Sequence, residues 1–150
     1  LMAKWVQKFG GTSVANIERI EAVAKRLAKS HNEGHQLVVV VSAMSGETNR
    51  LIALANSITE EPTPREMDVL VSTGEQVTIA LLCMALQKQG CDARSYTGSQ
   101  VRILTDSMHT KARIKQIDEQ RVKDGAAFGG CRETVAGSGN QPGPGERRDA

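Results

Sequence analysis

The sequence predicts an α/β fold with a mostly parallel sheet covered by helices. Residues 4–9 alternate as a short strand does, a helical pattern starts at Asn16, and residues 37–41 form an uninterrupted apolar, β-branched run. A run of that kind is typical of a strand buried on both faces. Strand, helix and buried strand make a βαβ unit, and such units build parallel sheets. The chain has 150 residues, 39% of them hydrophobic, which suits one packed domain.

The first helix is predicted from Asn16 to a stop at Gly34. Its charged residues fall on the face opposite to its apolar ones. The apolar face consists of Ile17, Ile20, Val23, Ala24, Leu27 and Ala28.

Two further helical stretches follow. Residues 45–58 form one, with Ser45 and Thr48 at its start. The next begins at Thr63, where Pro64 and Glu66 complete the pattern of a capping box. Gly74 interrupts this pattern and predicts a break, after which residues 75–90 resume as a mostly apolar helix.

The second half of the chain predicts short strands and then an irregular end. Residues 91–96, 101–105 and 112–117 are the predicted strands. Residues 124–150 contain seven of the 14 glycines and two of the four prolines, without helical or strand periodicity. We expect this last segment to be disordered and to add no strand to the sheet.

Composition excludes several classes of function. A net charge of +2 with mixed signs does not favour nucleic acid or an anionic membrane as partner. The three cysteines include no CxxC pair, which favours reduced thiols in the cytoplasm over a zinc site or disulfides. His31 and His35 flank Gly34 at a helix end, so we assign no metal to them. No unbroken apolar run suggests a membrane span, and the N-terminus lacks the apolar core of a signal peptide.

The stretch "QKFGGTSVANIERI" at residues 7–20 is the first candidate site. Gly10 and Gly11 come where a strand passes into a helix, so backbone amides there can approach a phosphate without hindrance. Lys8 adds a positive charge at the strand end, where ligands bind to open parallel sheets. The alternative is a tight turn beside a surface lysine. The spacing is neither that of a Walker loop nor that of a dinucleotide fingerprint.

Two more stretches carry polar groups at predicted element ends. In "VVVVSAMSGETN" (38–49), Ser42, Ser45 and Thr48 can bind a ligand, or Ser45 and Thr48 can cap the next helix. In "STGE" (72–75), Glu75 can bind an ammonium group at a glycine-broken helix start. The alternative for this stretch is a second capping box.

These stretches together resemble the aspartate kinases of the amino acid kinase superfamily. The resemblance runs from about Lys4 to Asp118 through "KFGGTSV", "VVVVSAMSGETNRLI", "STGEQVTIALL" and "SYTGSQVRILTDSMHTKARI". It implies a three-layer α/β/α sandwich, cytoplasmic location and transfer of the γ-phosphoryl group of ATP, with Mg²⁺, to the side-chain carboxylate of L-aspartate. The product would be 4-phospho-L-aspartate, a precursor of lysine, threonine and methionine.

The resemblance also implies residue roles. Lys8 would be the catalytic cation that neutralises the transferring phosphoryl group, and Lys8, Phe9, Gly10 and Gly11 would form the phosphate and nucleotide site. Substrate would be bound by Ser42, Thr48 and Glu75. A homo-oligomer is left open.

The sequence also departs from this family. It contains no "GRGGSD" loop, which would supply an arginine for the aspartate carboxylate and a catalytic aspartate. We therefore divide the chain into residues 1–118, the N-terminal part of an amino acid kinase domain, and a non-matching tail, residues 119–150. A foreign or out-of-frame origin is a hypothesis for this tail. Two hypotheses follow for function: an aspartate kinase, or a truncated, non-catalytic fragment that at most binds phosphate or aspartate weakly.

Overall fold

The computed structural model describes residues 4–101, 103–107, 113–117, 120 and 132–137. Three α-helices and six strands lie in these ranges, with a short 3₁₀ helix at Gly11–Val14. The strands are β1 (Lys4–Phe9), β2 (Gln36–Val41), β3 (Asp92–Tyr96), β4 (Ile103–Thr105), β5 (Ile114–Ile117) and β6 (Arg132–Gly137). The helices are α1 (Ile17–Asn32), α2 (Glu47–Ile58) and α3 (Pro64–Lys88).

The main sheet has four parallel strands in the order β1-β2-β6-β3. Strands β1 and β2 pair in parallel from Lys4 opposite Gln36 to Phe9 opposite Val41, with α1 as the crossover between them. The predicted βαβ unit is confirmed. Strands β4 and β5 form a separate antiparallel pair.

The core lies between one face of this sheet and helices α1 and α3. Alternate residues of β2, namely Leu37, Val39 and Val41, are buried on that face. On the opposite face Val38 and Val40 are half-buried, and Val6 of β1 is 73% exposed. The predicted α/β class is confirmed, and in the described part of the chain α1 and α3 pack on a single face of the sheet.

The predicted break at Gly74 is wrong, because α3 runs without interruption from Pro64 to Lys88. Gly74 is buried where α3 crosses the segment after β2, and a Cβ atom there would lie 2.9 Å from Cβ of Ala43. Tertiary packing therefore explains the glycine, and the helix tolerates its low propensity. The capping box considered for "STGE" does not form either, because Ser72 and Glu75 lie inside α3.

The start of α3 is predicted correctly, but its capping box is not. Thr63 is the N-cap residue, and Pro64 occupies the first turn. The Thr63 side chain makes no capping hydrogen bond, and Glu66 instead pairs with its neighbour Arg65. The side chains of both are exposed, so this pair adds little to stability.

Strand β6 contradicts the expectation that residues 124–150 add no strand. Residues 132–137 pair in parallel with β2 on one side and with β3 on the other, so they hold a central position. A gap between two strands offers hydrogen-bond partners on both sides of any backbone that enters it. These hydrogen-bond partners are supplied by β2 and β3, so the composition of residues 132–137 does not reveal the strand.

Helix α3 is, by length and composition, the one candidate membrane span among the described residues. The lengths of unbroken apolar runs in the sequence, by contrast, suggest no membrane span. The helix packs against α1, α2 and β3 and contributes Ile79, Leu82 and Leu86 to the core. A buried core helix passes the same test of length and hydropathy.

Candidate functional site

The turn between β1 and α1 contains the first candidate residues. The chain enters the 3₁₀ helix at Gly11, and Ser13 N donates to Gly10 O at 2.9 Å. A Cβ atom at Gly11 would lie 3.0 Å from the carbonyl oxygen of Ala43, which is a tight contact that favours glycine at this position. A Cβ atom at Gly10 would meet nothing within 4 Å, which leaves open space over that part of the turn.

Lys8 and Phe9 end β1 and point to opposite faces of the sheet. Phe9 packs against the core, whereas the exposed Lys8 pairs with Val40 on the other face. Ser42 N donates to Phe9 O at 3.2 Å, which extends the strand pairing and holds the start of the next loop beside the turn. The carboxyl ends of these two neighbouring parallel strands thus carry Lys8, Gly10, Gly11 and Ser42.

Helix α2 begins after Gly46, whose φ of 80° is in the left-handed region that favours glycine. Gly46 is the N-cap residue, so the proposed capping by Ser45 and Thr48 is not what the structure has. Thr48 lies half-buried in the first turn of α2, beside Glu47. Glu47 accepts two hydrogen bonds from Arg50 at 2.7 and 2.8 Å, which lower the pKa of this carboxyl.

Glu75 approaches from α3 and is half-buried. Its Oε2 atom is buried and has no hydrogen-bond partner. Burial raises the pKa of the Glu75 carboxyl, while the backbone N–H groups of Glu75 itself and of Ala43 lower it. A half-buried carboxylate with a free oxygen is suited to bind a cationic group, because pairing would compensate for its desolvation.

The segment after β2 brings the two sides of the candidate site together. Ala43 closely approaches the positions of both Gly11 and Gly74, and its N–H lowers the pKa of the Glu75 carboxyl. Lys8 and Glu75 reach this edge from opposite faces of the sheet, so their meeting over one ligand stays a prediction. Ala43 has no reactive group, so the sequence does not single it out. The sequence predicts a helix break at Gly74, but an isolated helical glycine also indicates close packing.

A separate open groove of about 410 Å³ lies between α3 and β3. Residues of α3 from Ala80 to Gln87 and of β3 from Ala93 to Tyr96 line it. None of the predicted site residues belongs to it.

The described ranges contain no group of three His, Cys, Asp or Glu side chains that could hold a metal ion. In the candidate site, Glu75 is the carboxylate among the residues predicted from the sequence. The donor set there consists of backbone amides, hydroxyls, one lysine and one glutamate.

The sequence pattern of the Amino acid kinase family matches residues 3–127. This match covers most of the chain, and the chain belongs to that family. It extends nine residues beyond the boundary at Asp118 that the motifs suggested.

Within this family the chain is similar to aspartate kinases. It is 70% identical over 122 residues to the aspartate kinase Ask_LysC of Stutzerimonas stutzeri, which covers 81% of this chain and 30% of that protein. The crystal structure of an aspartate kinase from Synechocystis superposes with a TM-score of 0.70 at 41% identity, covering 91% of this chain and 21% of that one.

A third comparison concerns a liganded structure. Aspartokinase III of E. coli, solved with aspartate and ADP, superposes with a TM-score of 0.63 at 22% identity, over 93% of this chain and 42% of that chain. At this identity the likeness is one of fold. The chain spans about 30% of the length of the aspartate kinases that match it in sequence.

Proposed function

We propose that this chain forms one wall of an aspartate kinase active site. The reaction is transfer of the γ-phosphoryl group of ATP to the side-chain carboxylate of L-aspartate, which gives 4-phospho-L-aspartate. The observation that carries the proposal is the junction at Ala43. The proposal is supported by the approach of Ala43 both to Gly11 and to Gly74, the residue before Glu75, and by 70% identity over 122 residues to an aspartate kinase.

The turn after β1 is assigned to the phosphate groups. The amides of Gly10 and Gly11 donate to phosphate oxygens, and Phe9 fixes the strand end through its contact with the core. Lys8 neutralises charge on the transferring phosphoryl group. Such a reaction forms no covalent intermediate with the protein, so positioning and charge neutralisation account for the rate.

Glu75 is assigned to the ammonium group of L-aspartate, with Ser42 and Thr48 as its polar neighbours around the substrate. The buried, unpartnered Oε2 atom supports this assignment. An ammonium group would supply the missing partner and would offset the cost of desolvating the carboxylate. Aspartokinase III of E. coli, which shares the fold of this chain, was solved with aspartate and ADP. This supports aspartate and an adenine nucleotide as the ligands.

Mg²⁺ is assigned to the ATP phosphates rather than to a cage of protein ligands. Mg²⁺ in phosphoryl transfer retains several waters and binds through substrate phosphates with one or two carboxylates. When bound it would neutralise charge on the phosphate oxygens. We place the reaction in the cytoplasm, and no nucleic acid or membrane partner is part of the proposal.

The second candidate function is that of a non-catalytic fragment which binds phosphate or aspartate weakly. The observation that favours it is coverage, because the matched aspartate kinases are about three times as long. Both functions share the binding roles above, and they differ in turnover.

Ligand titration of the 150-residue chain tests the shared binding roles. Lys8→Met should weaken ATP binding about tenfold or more, since hydrogen bonds to charged groups contribute about 1.5–3 kcal/mol. Lys8→Met should leave aspartate binding unchanged. Glu75→Gln should weaken aspartate binding and leave ATP binding unchanged. Lys25→Met removes an exposed lysine from α1 and is the control. Isothermal titration with ATP and with L-aspartate measures both affinities, and equal loss in Lys8→Met and Lys25→Met would refute the role of Lys8.

A further inference from the structure

Helix α3 approaches Ala43 more closely than a helix with side chains allows. A Cβ atom at Gly74 would lie 2.9 Å from Cβ of Ala43 and 3.5 Å from Cγ of Glu47 and Cδ1 of Leu51. Carbon atoms in normal contact lie about 3.5–4.0 Å apart. Gly74 therefore permits a helix contact that alanine would push apart.

Ala43 also lies close to the Gly10–Gly11 turn after β1. A Cβ atom at Gly11 would lie 3.0 Å from the Ala43 carbonyl oxygen and 3.7 Å from the amide nitrogen of Ser45. Ala43 is itself 5% exposed. The buried residue Ala43 thus lies between the Gly10–Gly11 turn and α3, and it closely approaches a glycine of each.

Glu75 directly follows Gly74, and the Ala43 N–H lowers the pKa of its carboxyl against the opposing effect of burial. Its position therefore depends on how far α3 stands from the segment after β2. A glycine inside a helix is destabilising by itself, so its presence at this contact indicates a local packing demand.

We propose that Gly74 is a positioning residue: by letting α3 close onto Ala43, it sets the place of the Glu75 carboxyl relative to the Gly10–Gly11 turn. Gly74 contacts no substrate in this scheme and acts through Ala43 and Glu75. The geometric part of the proposal stands on the contacts above. Its consequence for aspartate rests on the proposed function.

The test follows the backbone amide proton of residue 43 by NMR in the 150-residue chain. An amide that faces a carboxylate shifts as the carboxylate titrates, so this signal should move with pH in the natural sequence. Glu75→Gln should abolish the movement, which assigns it to Glu75. Gly74→Ala should also abolish or strongly reduce it, because the added methyl group separates α3 from Ala43.

A compensating variant separates positioning from general damage. Ala43→Gly in the Gly74→Ala background removes the methyl group that clashes and keeps the amide at position 43. The double variant should regain the pH-dependent shift, and its melting temperature should exceed that of Gly74→Ala alone. Recovery of both readouts supports the proposal, since unspecific destabilisation is not repaired by removing a further buried methyl group.

Three results would overturn the proposal. One is a full pH-dependent shift in Gly74→Ala with a raised melting temperature, as expected for alanine at an unhindered helical site. Another is a double variant no better than Gly74→Ala. The third is an amide signal that ignores Glu75→Gln.

L-Aspartate titration of the same variants keeps the two proposals apart. Loss of aspartate binding in Gly74→Ala with recovery in the double variant supports the positioning role and its link to substrate. If the natural chain binds no aspartate while the NMR coupling holds, the proposed function fails and the positioning role is supported.

Discussion

Glu75 carries a carboxyl group in surroundings that disfavour its charge. Burial is the largest influence and raises its pKa above the ordinary value of 4.5, and the amides of Glu75 and Ala43 only partly counteract it. The folded chain therefore binds this proton more tightly than the unfolded chain does. Ionisation of Glu75 then costs folding free energy at neutral pH.

Glu75→Gln should stabilise the chain, and the gain should depend on pH. Below about pH 4.5 the folded and unfolded chains both hold the proton, so the variant and the natural chain should differ little. As pH rises above that value, the natural chain loses stability while the neutral glutamine does not, so the difference should grow. Urea denaturation of both chains from about pH 4 to about pH 8 measures it.

Glu60→Gln is the control for this titration, since Glu60 is exposed in the connection between α2 and α3. It should reproduce none of the pH-dependent gain. A stability difference between Glu75→Gln and the natural chain that shrinks as pH rises would contradict the sign of the effect.

At the scale of elements, two helix starts allow a matched test of capping. The Asn16 side chain accepts a hydrogen bond from Arg19 N at 2.9 Å at the start of α1, whereas Thr63 makes no such bond at the start of α3. Asn16→Ala should cost about 1 kcal/mol of unfolding free energy. Thr63→Ala should change it by less than about 0.5 kcal/mol. Equal losses from both changes in urea denaturation would contradict the difference seen in the structure.

The central strand β6 allows a second test at this scale. Val135 pairs with Val39 of β2 and Ser95 of β3, so its backbone lies between two neighbours. Val135→Pro removes one backbone donor and should cost at least about 1–3 kcal/mol, the cost of a buried group left unpaired. Val135→Ala keeps the donor and should cost clearly less. Indistinguishable urea midpoints for the two variants would mean that residues 132–137 do not complete the sheet.

At the scale of the whole molecule, the question is whether one wall of a site suffices for catalysis. Lys8 is the one cation among the site residues predicted here, and the sequence contains no "GRGGSD" loop to supply an arginine and an aspartate. Phosphoryl transfer requires charge neutralisation from several directions in a site that excludes water. Loss of a single stabilising donor typically raises the barrier by about 2.7–4 kcal/mol.

We therefore expect no appreciable turnover by the 150-residue polypeptide alone. Purified chain supplied with ATP, Mg²⁺ and L-aspartate, with hydroxylamine to trap an acyl phosphate, gives the measurement. The aspartate kinase of Stutzerimonas stutzeri is the positive control. Hydroxamate formation near the ~1–100 per second usual for kinases would show the expectation wrong and would favour the catalytic function.

The sequence by itself determined the local structure and the order of the first elements. Helical periodicity placed α1 from about Asn16, and the uninterrupted valine run placed β2 beside β1. It also placed Lys8, Gly10, Gly11 and Ser42 at strand ends, because the carboxyl ends of parallel strands share one edge. Each of these depends on residues close together in the chain, so a pattern in a short window records it.

Tertiary structure alone decided the interior of α3, the central strand and the junction at Ala43. Gly74 is a helix breaker by propensity, but contact with Ala43 makes it the residue that fits. Residues 132–137 are poor in strand signals, but they pair with β2 and β3 on both sides. Ala43 has no reactive group, and its importance comes from Gly11 and Gly74, which lie 32 and 31 residues away in the chain. Contacts over such separations satisfy backbone groups and fix distances that no local pattern encodes.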